Sequence, residues 1–127
     1  MQRSLSIVYS TDENYVKLTA VSMASLLTHN SGARVTVLTN GVRPASCAFL
    51  RSLCERLGGT FAALDVADAL RRLEAQGANG YVSYSTYARL FIPRLMPDAA
   101  RVVYLDSDTL VNGDLSPLLD LDLGGKP

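Results

Sequence analysis

The chain has 127 residues, of which 48% are hydrophobic, and its mean hydropathy is +0.14, enough apolar material for a core and against disorder. Twelve Lys/Arg and twelve Asp/Glu cancel, and neither sign forms a run, which excludes the electrostatic footprint of a protein that wraps nucleic acid. No stretch is apolar for long enough to span a bilayer, and the run after Met1-Gln2-Arg3-Ser4 is too short for a signal-peptide core, so the chain reads as cytoplasmic with no transmembrane segment.

In chain order, Leu5 to Tyr9 predicts a first strand, broken by the polar segment Ser10-Thr11-Asp12-Glu13-Asn14. Val16, Ala20, Val21, Ala24 and Leu27 then recur at helical spacing up to about His29, the sole histidine, and Asn30-Ser31-Gly32 ends that helix. Arg34 to Thr39 alternates as a second strand, and Asn40-Gly41 turns. Pro44 opens a helix predicted to turn Phe49, Leu50, Leu53 and Leu57 to the core, with Gly58-Gly59 stopping it. Cys47 and Cys54 on this helix are separated by roughly 10 Å of backbone, too far for a disulfide, and read as buried small hydrophobes. Thr60 to Leu64 is a third strand, Val66 to Gln76 a short helix with Leu70 and Leu73 inward, and Gly77-Ala78-Asn79-Gly80 a loop.

From about Ser85 a helix carries Tyr87, Leu90, Phe91 and Leu95, with Pro93 and Pro97 bending and closing it. Val102-Val103-Tyr104-Leu105, continuously apolar, is expected to be a central strand buried on both faces, running straight into Asp106-Ser107-Asp108. A short helix begins at Ser116-Pro117 after Asn112-Gly113. Strand and helix alternate throughout, which predicts an α/β fold of a mostly parallel sheet flanked by helices, with neither repeat nor linker dividing it.

Chemistry concentrates after the first and last strands. In open α/β sheets ligands sit beyond the carboxyl ends of strands, so both loops can share one crevice. Asp106 and Asp108, one residue apart, can turn toward a single ion, and hard oxygen ligands suit Mg²⁺ or Mn²⁺. A diphosphate can fill the remaining coordination positions, its leaving-group charge stabilised by the ion. Equally, Asp-Ser-Asp is common in turns, where Asp106 would cap and Asp108 be solvated. Arg89 lies amid apolar neighbours and can contact phosphate or sugar hydroxyls, or its stem can simply cover a helix. Tyr15 offers a ring for base stacking, while Asp12 and Asn14 offer acceptor and donor groups to read a base edge. Against this stand a capping box from Ser10 and Glu13 and a core role for Tyr15.

The segments Ile7-Val8-Tyr9-Ser10-Thr11-Asp12-Glu13-Asn14-Tyr15, Thr86-Tyr87-Ala88-Arg89-Leu90 and Val103-Tyr104-Leu105-Asp106-Ser107-Asp108-Thr109-Leu110-Val111 closely resemble, in order and spacing, the family 8 glycosyltransferases. The resemblance runs from about Leu5 to Lys126. It implies a Rossmann-like GT-A fold, a UDP-sugar donor, Mn²⁺, and glycosyl transfer with retention of configuration to a glycan, lipid-glycan or protein acceptor. It further implies Asp106 and Asp108 as metal ligands, Asp12 and Asn14 at the uracil or ribose, and Tyr15 on the base. Arg89 would then approach the donor sugar or phosphates, and backbone groups of Ser10, Thr11 and Ser107 would line the nucleotide. The family's third metal ligand, a histidine, and most acceptor-binding and catalytic residues are expected beyond Pro127.

Two other readings stand beside this one. The Asp-x-Asp strand end followed by Thr-Leu has the shape of a haloacid dehalogenase-type nucleophile motif, although that motif places one residue between the second Asp and the Thr and normally opens its domain. A non-catalytic nucleotide-binding or assembly module would keep the donor pocket without turnover. Because the last strand is expected to need cover on both faces, the chain is read as an incomplete GT-A domain, either truncated at its C-terminal side or completed by association, and prone to self-association through an apolar edge.

Overall fold

The computed structural model describes residues 5–75, 89–97 and 101–124. Among these, four parallel strands, β1 (Ser6–Asp12), β2 (Arg34–Asn40), β3 (Thr60–Asp65) and β4 (Val103–Tyr104), lie in the order β3-β2-β1-β4. Helices α1 (Val16–His29), α2 (Pro44–Arg56), α3 (Ala67–Ala75) and α4 (Ile92–Leu95) alternate with them, and 3₁₀ turns occupy Glu13–Tyr15, Arg89–Phe91 and Ser116–Asp120. No described helix is long and apolar enough to cross a membrane.

Strand periodicity divides the core in two. Ile7 and Tyr9 of β1, with Val35 and Val37 of β2, pack against Met23, Leu26 and Leu27 of α1 and Leu50 and Cys54 of α2. Val8 and Leu38 point the other way, against Val66 and Leu70, with Ile92, Met96 and Tyr104 at the margin. Both faces of the sheet are therefore covered, which is why β1 and β2 can be nearly continuous apolar runs.

Helix α2 begins at Pro44 without a side-chain cap of its own. It ends in a Schellman arrangement: Gly58 N donates to Glu55 O (3.1 Å), Gly59 N to Cys54 O (2.9 Å), and Gly58 takes φ 87°.

The polar segment after Tyr9 does not break β1. Ser10 and Thr11 continue the ladder, paired with Leu38 and Thr39, because β2 offers partners as far as Asn40. The last strand is a larger correction: among the described residues β4 lies at the sheet edge, half-buried, and β1 and β2 are interior. Its apolar run reflects contact with both halves of the core, Val103 and Leu105 with one and Val102 and Tyr104 with the other, rather than a strand on either side.

Phe49 is 51% exposed, because Leu50, Leu53, Cys54 and Leu57 form the stripe and residue 49 sits about 100° off it. Val21 is likewise exposed, and Cys47 is only half-buried while Cys54 is fully buried. The predicted loop at 77–80 and the start of the helix from Ser85 lie outside the described residues, as does the Leu73 side chain; Arg89–Phe91 is a 3₁₀ turn leading into α4.

Candidate functional site

The chain runs from β1 outward through β2 to β3, yet β4 pairs on the opposite side of β1. The carboxyl ends of β1 and β4 therefore flank a topological switch point, where an open α/β sheet has its ligand crevice. Asp12 to Tyr15 follows one of these ends, and Asp106 to Asp108 follows the other.

The segment after β4 is held against α1 by alternate residues. Ser107 Oγ donates to Ser10 O (2.9 Å) and accepts from Thr19 Oγ1 (2.9 Å). Thr109 Oγ1 donates to Asp106 O (2.7 Å) and lies 3.1 Å from Ser22 Oγ, itself 2.8 Å from the buried Tyr9 hydroxyl. Val111 N donates to Ser25 Oγ (2.8 Å). Asn30 donates through Nδ2 to Gly113 O (3.0 Å) and accepts from Leu115 N at Oδ1 (2.7 Å). Residues 107, 109, 111, 113 and 115 thus face α1, and Asp106, Asp108, Leu110, Asn112 and Asp114 between them are exposed. Asp106 to Thr109 form a turn, closed by Thr109 N donating to Asp106 O (3.2 Å), that leaves both aspartates exposed just beyond the carboxyl end of β4.

Arg89 joins them from the turn before α4. Its Nη2 lies 3.9 Å from Asp106 Oδ1, and its guanidinium carbon 4.8 Å from the centre of the Tyr104 ring. The Arg89 and Asp106 side chains are 48% and 61% exposed, so this pair adds little to stability, and the guanidinium is available to an anion. Burial raises the Tyr104 phenol pKa, opposed by the Ser10 hydroxyl and the Arg89 charge. Ser10 Oγ is buried without a well-formed hydrogen bond among the described residues, beside the switch point.

On the β1 side, Asp12 Oδ1 caps the 3₁₀ turn by accepting from Tyr15 N (3.1 Å), leaving its second oxygen without a partner among the described residues. Asn14 is exposed and Tyr15 is 50% exposed, so the ring is not core. The capping box of Ser10 and Glu13 does not form. Glu13 instead reaches α2, accepting from Arg43 N (2.8 Å), Arg43 Nη2 (3.1 Å) and Ser46 Oγ (2.7 Å). These bonds, the Arg43 backbone N–H foremost, hold its pKa at about 2. Thr11 is fully buried and its hydroxyl donates to Asp12 O (2.9 Å), while Ser107's hydroxyl is committed within the fold, so these two residues can meet a ligand only through their backbones. Sequence reasoning missed Thr19, Ser22, Ser25, Asn30 and Thr109; the signal that could have found them is the run of polar residues at helical spacing between buried apolar positions of α1.

Two exposed carboxylates one residue apart in this turn fit a hard divalent cation, and Arg89 beside Asp106 fits the charge of a diphosphate. Among the described residues no third His, Cys, Asp or Glu converges on them. The pair therefore leaves positions for ligand or solvent oxygens.

The family model for glycosyl transferase family 8 matches residues 6–127. The chain belongs to this family. Among family 8 relatives, glycosyltransferase GlyE of Streptococcus pneumoniae serotype 4 is 29% identical over 119 residues, covering 94% of this chain and 29% of GlyE. Probable galacturonosyltransferase 14 of Arabidopsis thaliana is 52% identical over 46 residues, 36% of this chain and 9% of that protein.

The crystal structure of the galactosyltransferase LgtC with donor and acceptor sugar analogues superposes with a TM-score of 0.79 at 31% identity, over 94% of this chain and 44% of LgtC. The bifunctional glycosyltransferase WbbM gives 0.75 at 30% identity, over 98% of this chain and 22% of WbbM. The fold is thus the GT-A type of these enzymes, and the chain spans less than half the length of each of these proteins. Membership of family 8 also removes the phosphohydrolase reading of the Asp-Ser-Asp strand end.

Proposed function

We propose that the chain is the donor-binding portion of a glycosyltransferase that moves a hexose from a UDP-sugar to a glycan, lipid-glycan or protein acceptor with retention of configuration. The observation that carries this reading is Arg89 lying 3.9 Å from Asp106 at the β1/β4 switch point, with Asp108 exposed in the same turn and Tyr15 exposed after β1. Tyr15 stacks on the base, and Asp12 and Asn14 read its edge or the ribose. Backbone groups of Ser10, Thr11 and Ser107 line the nucleotide, and Arg89 pairs with phosphate or sugar oxygens.

Asp106 and Asp108 hold Mn²⁺ or Mg²⁺, which supplies Lewis-acid stabilisation of the diphosphate charge. The transfer breaks the bond between the sugar's anomeric carbon and the diphosphate oxygen, forms one to the acceptor oxygen as its O–H bond breaks, and releases UDP together with the acceptor's proton. The complex of LgtC with donor and acceptor analogues supports the substrate class.

Donor binding without turnover is the second reading. Incubating the purified chain with Mn²⁺ and several UDP-sugars decides between them. UDP release above an Asp108→Ala control is expected for the transferase, whereas release indistinguishable from that control despite UDP binding restricts the chain to donor capture.

A further inference from the structure

We infer that Thr19 and Ser22 of α1 are positioning residues for the metal, fixing the Asp106–Thr109 turn against α1 so that both carboxylates are held exposed at the switch point. The inference rests on the metal reading above. Asp106 to Thr109 form an exposed turn closed by a single backbone hydrogen bond (3.2 Å), and two like charges so close repel each other, so the turn needs an anchor to hold both carboxylates in place. That anchor is the grip on the residues between and after them, Ser107 and Thr109, whose side chains are tied to α1 through Thr19 and Ser22.

The direction of these bonds follows from proton counting. Thr109 gives its hydroxyl hydrogen to Asp106 O, so Ser22 must give its own to Thr109, and Tyr9 must donate to Ser22. A chain of three hydroxyls therefore ends on the backbone carbonyl of the first metal ligand. Ser107 gives its hydrogen to Ser10 O, so it can only accept from Thr19. The single Thr19 hydrogen is also within reach of Tyr15 O (3.0 Å). Thr19 thereby joins the loop that carries the stacking ring to the loop that carries the carboxylates.

Thr19 and Ser22 are fully buried on a helix whose neighbouring positions Ala20, Met23 and Leu26 are apolar. Packing alone is served better there by Val and Ala, since a buried hydroxyl is costly unless it is satisfied. Their partners lie 88 and 87 residues away, in the segment that carries the carboxylates.

The test measures Mn²⁺ affinity of the full chain by electron paramagnetic resonance, with thermal melting and metal-free UDP affinity alongside. Thr19→Val and Ser22→Ala are expected to weaken Mn²⁺ binding by roughly 10-fold, the usual scale for residues that orient metal ligands. Thr19→Ser, which keeps the hydroxyl, is expected to restore it. Should Thr19→Val fail to fold, Ser22→Ala and Thr19→Ser carry the comparison. Lowered melting temperatures with unchanged Mn²⁺ affinity would reduce both hydroxyls to packing and overturn the inference alone. A wild-type chain that binds no Mn²⁺ overturns the metal reading first and this inference with it.

Discussion

The turn that carries Asp106 and Asp108 is anchored on α1 through Ser107 and Thr109, and the exposed Tyr15 ring follows a turn capped by Asp12. The candidate site residues could be singled out in the sequence because the chemistry proposed for them resides in residue type and short spacing: two carboxylates one residue apart, and an acid, an amide and a ring in four consecutive positions. The hydroxyls that anchor the turn were harder to read, because Thr19 meets Ser107 across 88 residues and only its helical spacing with Ser22 and Ser25 sets it apart from a solvated threonine.

Tyr15→Ala is expected to weaken UDP binding by about 1–3 kcal/mol, the range for base stacking on an aromatic ring. Its melting temperature should barely move, since the ring is half exposed; calorimetry and a thermal melt check both. UDP is expected to bind in preference to ADP and GDP, because Asp12 and Asn14 discriminate a base edge where stacking does not. Equal calorimetric affinities for the three would remove these residues from base recognition.

At the scale of elements, the alternation of β1 to α3 was readable because apolar period and glycine punctuation agree along it. The position of β4 was not: a continuously apolar run reports contact on both faces, and those contacts are supplied here by the two core halves flanking an edge strand.

The link from Glu13 to the start of α2 gives a test at this scale. Its pKa is depressed from the ordinary 4.5 to about 2. The stability it contributes is therefore fully present above the ordinary value and is lost as pH falls through the depressed one. Denaturant melts are expected to find Glu13→Gln less stable than wild type at pH 6, with the gap closing between pH 4.5 and 2. A gap constant across that window would mean that the charge does not act through these bonds. The α2 terminus offers a second test, because a Cβ on Gly59 would lie 2.8 Å from both Cys54 Sγ and Leu27 Cδ2. Gly59→Ala is expected to cost about 1–3 kcal/mol by overpacking, read from the shift in denaturation midpoint.

For the whole molecule, the α/β class followed from the order of elements, and the GT-A architecture from three sequence blocks taken together. The described surface carries Leu90 at 69% and Leu110 at 72% exposure beside the short edge strand β4, on a chain whose formal net charge is zero. Apolar exposure with little charge repulsion favours self-association. Light scattering is expected to show a mass that rises with concentration and falls when Leu90 and Leu110 are replaced by Lys; a constant monomer mass would show that these residues do not pair copies.

The central claim is that the β1 and β4 loops together form one metal-assisted site for a nucleoside diphosphate. Titrating UDP into the chain by calorimetry, with and without Mn²⁺, tests it most directly when the Asp106→Ala/Asp108→Ala double variant is run in parallel. Mn²⁺ is expected to raise the affinity of the wild-type chain, and the double variant is expected to lose that gain while melting as wild type does, since exposed carboxylates contribute little to the core. A double variant that keeps the full Mn²⁺ dependence of UDP binding would contradict the account and leave Asp-Ser-Asp as a turn.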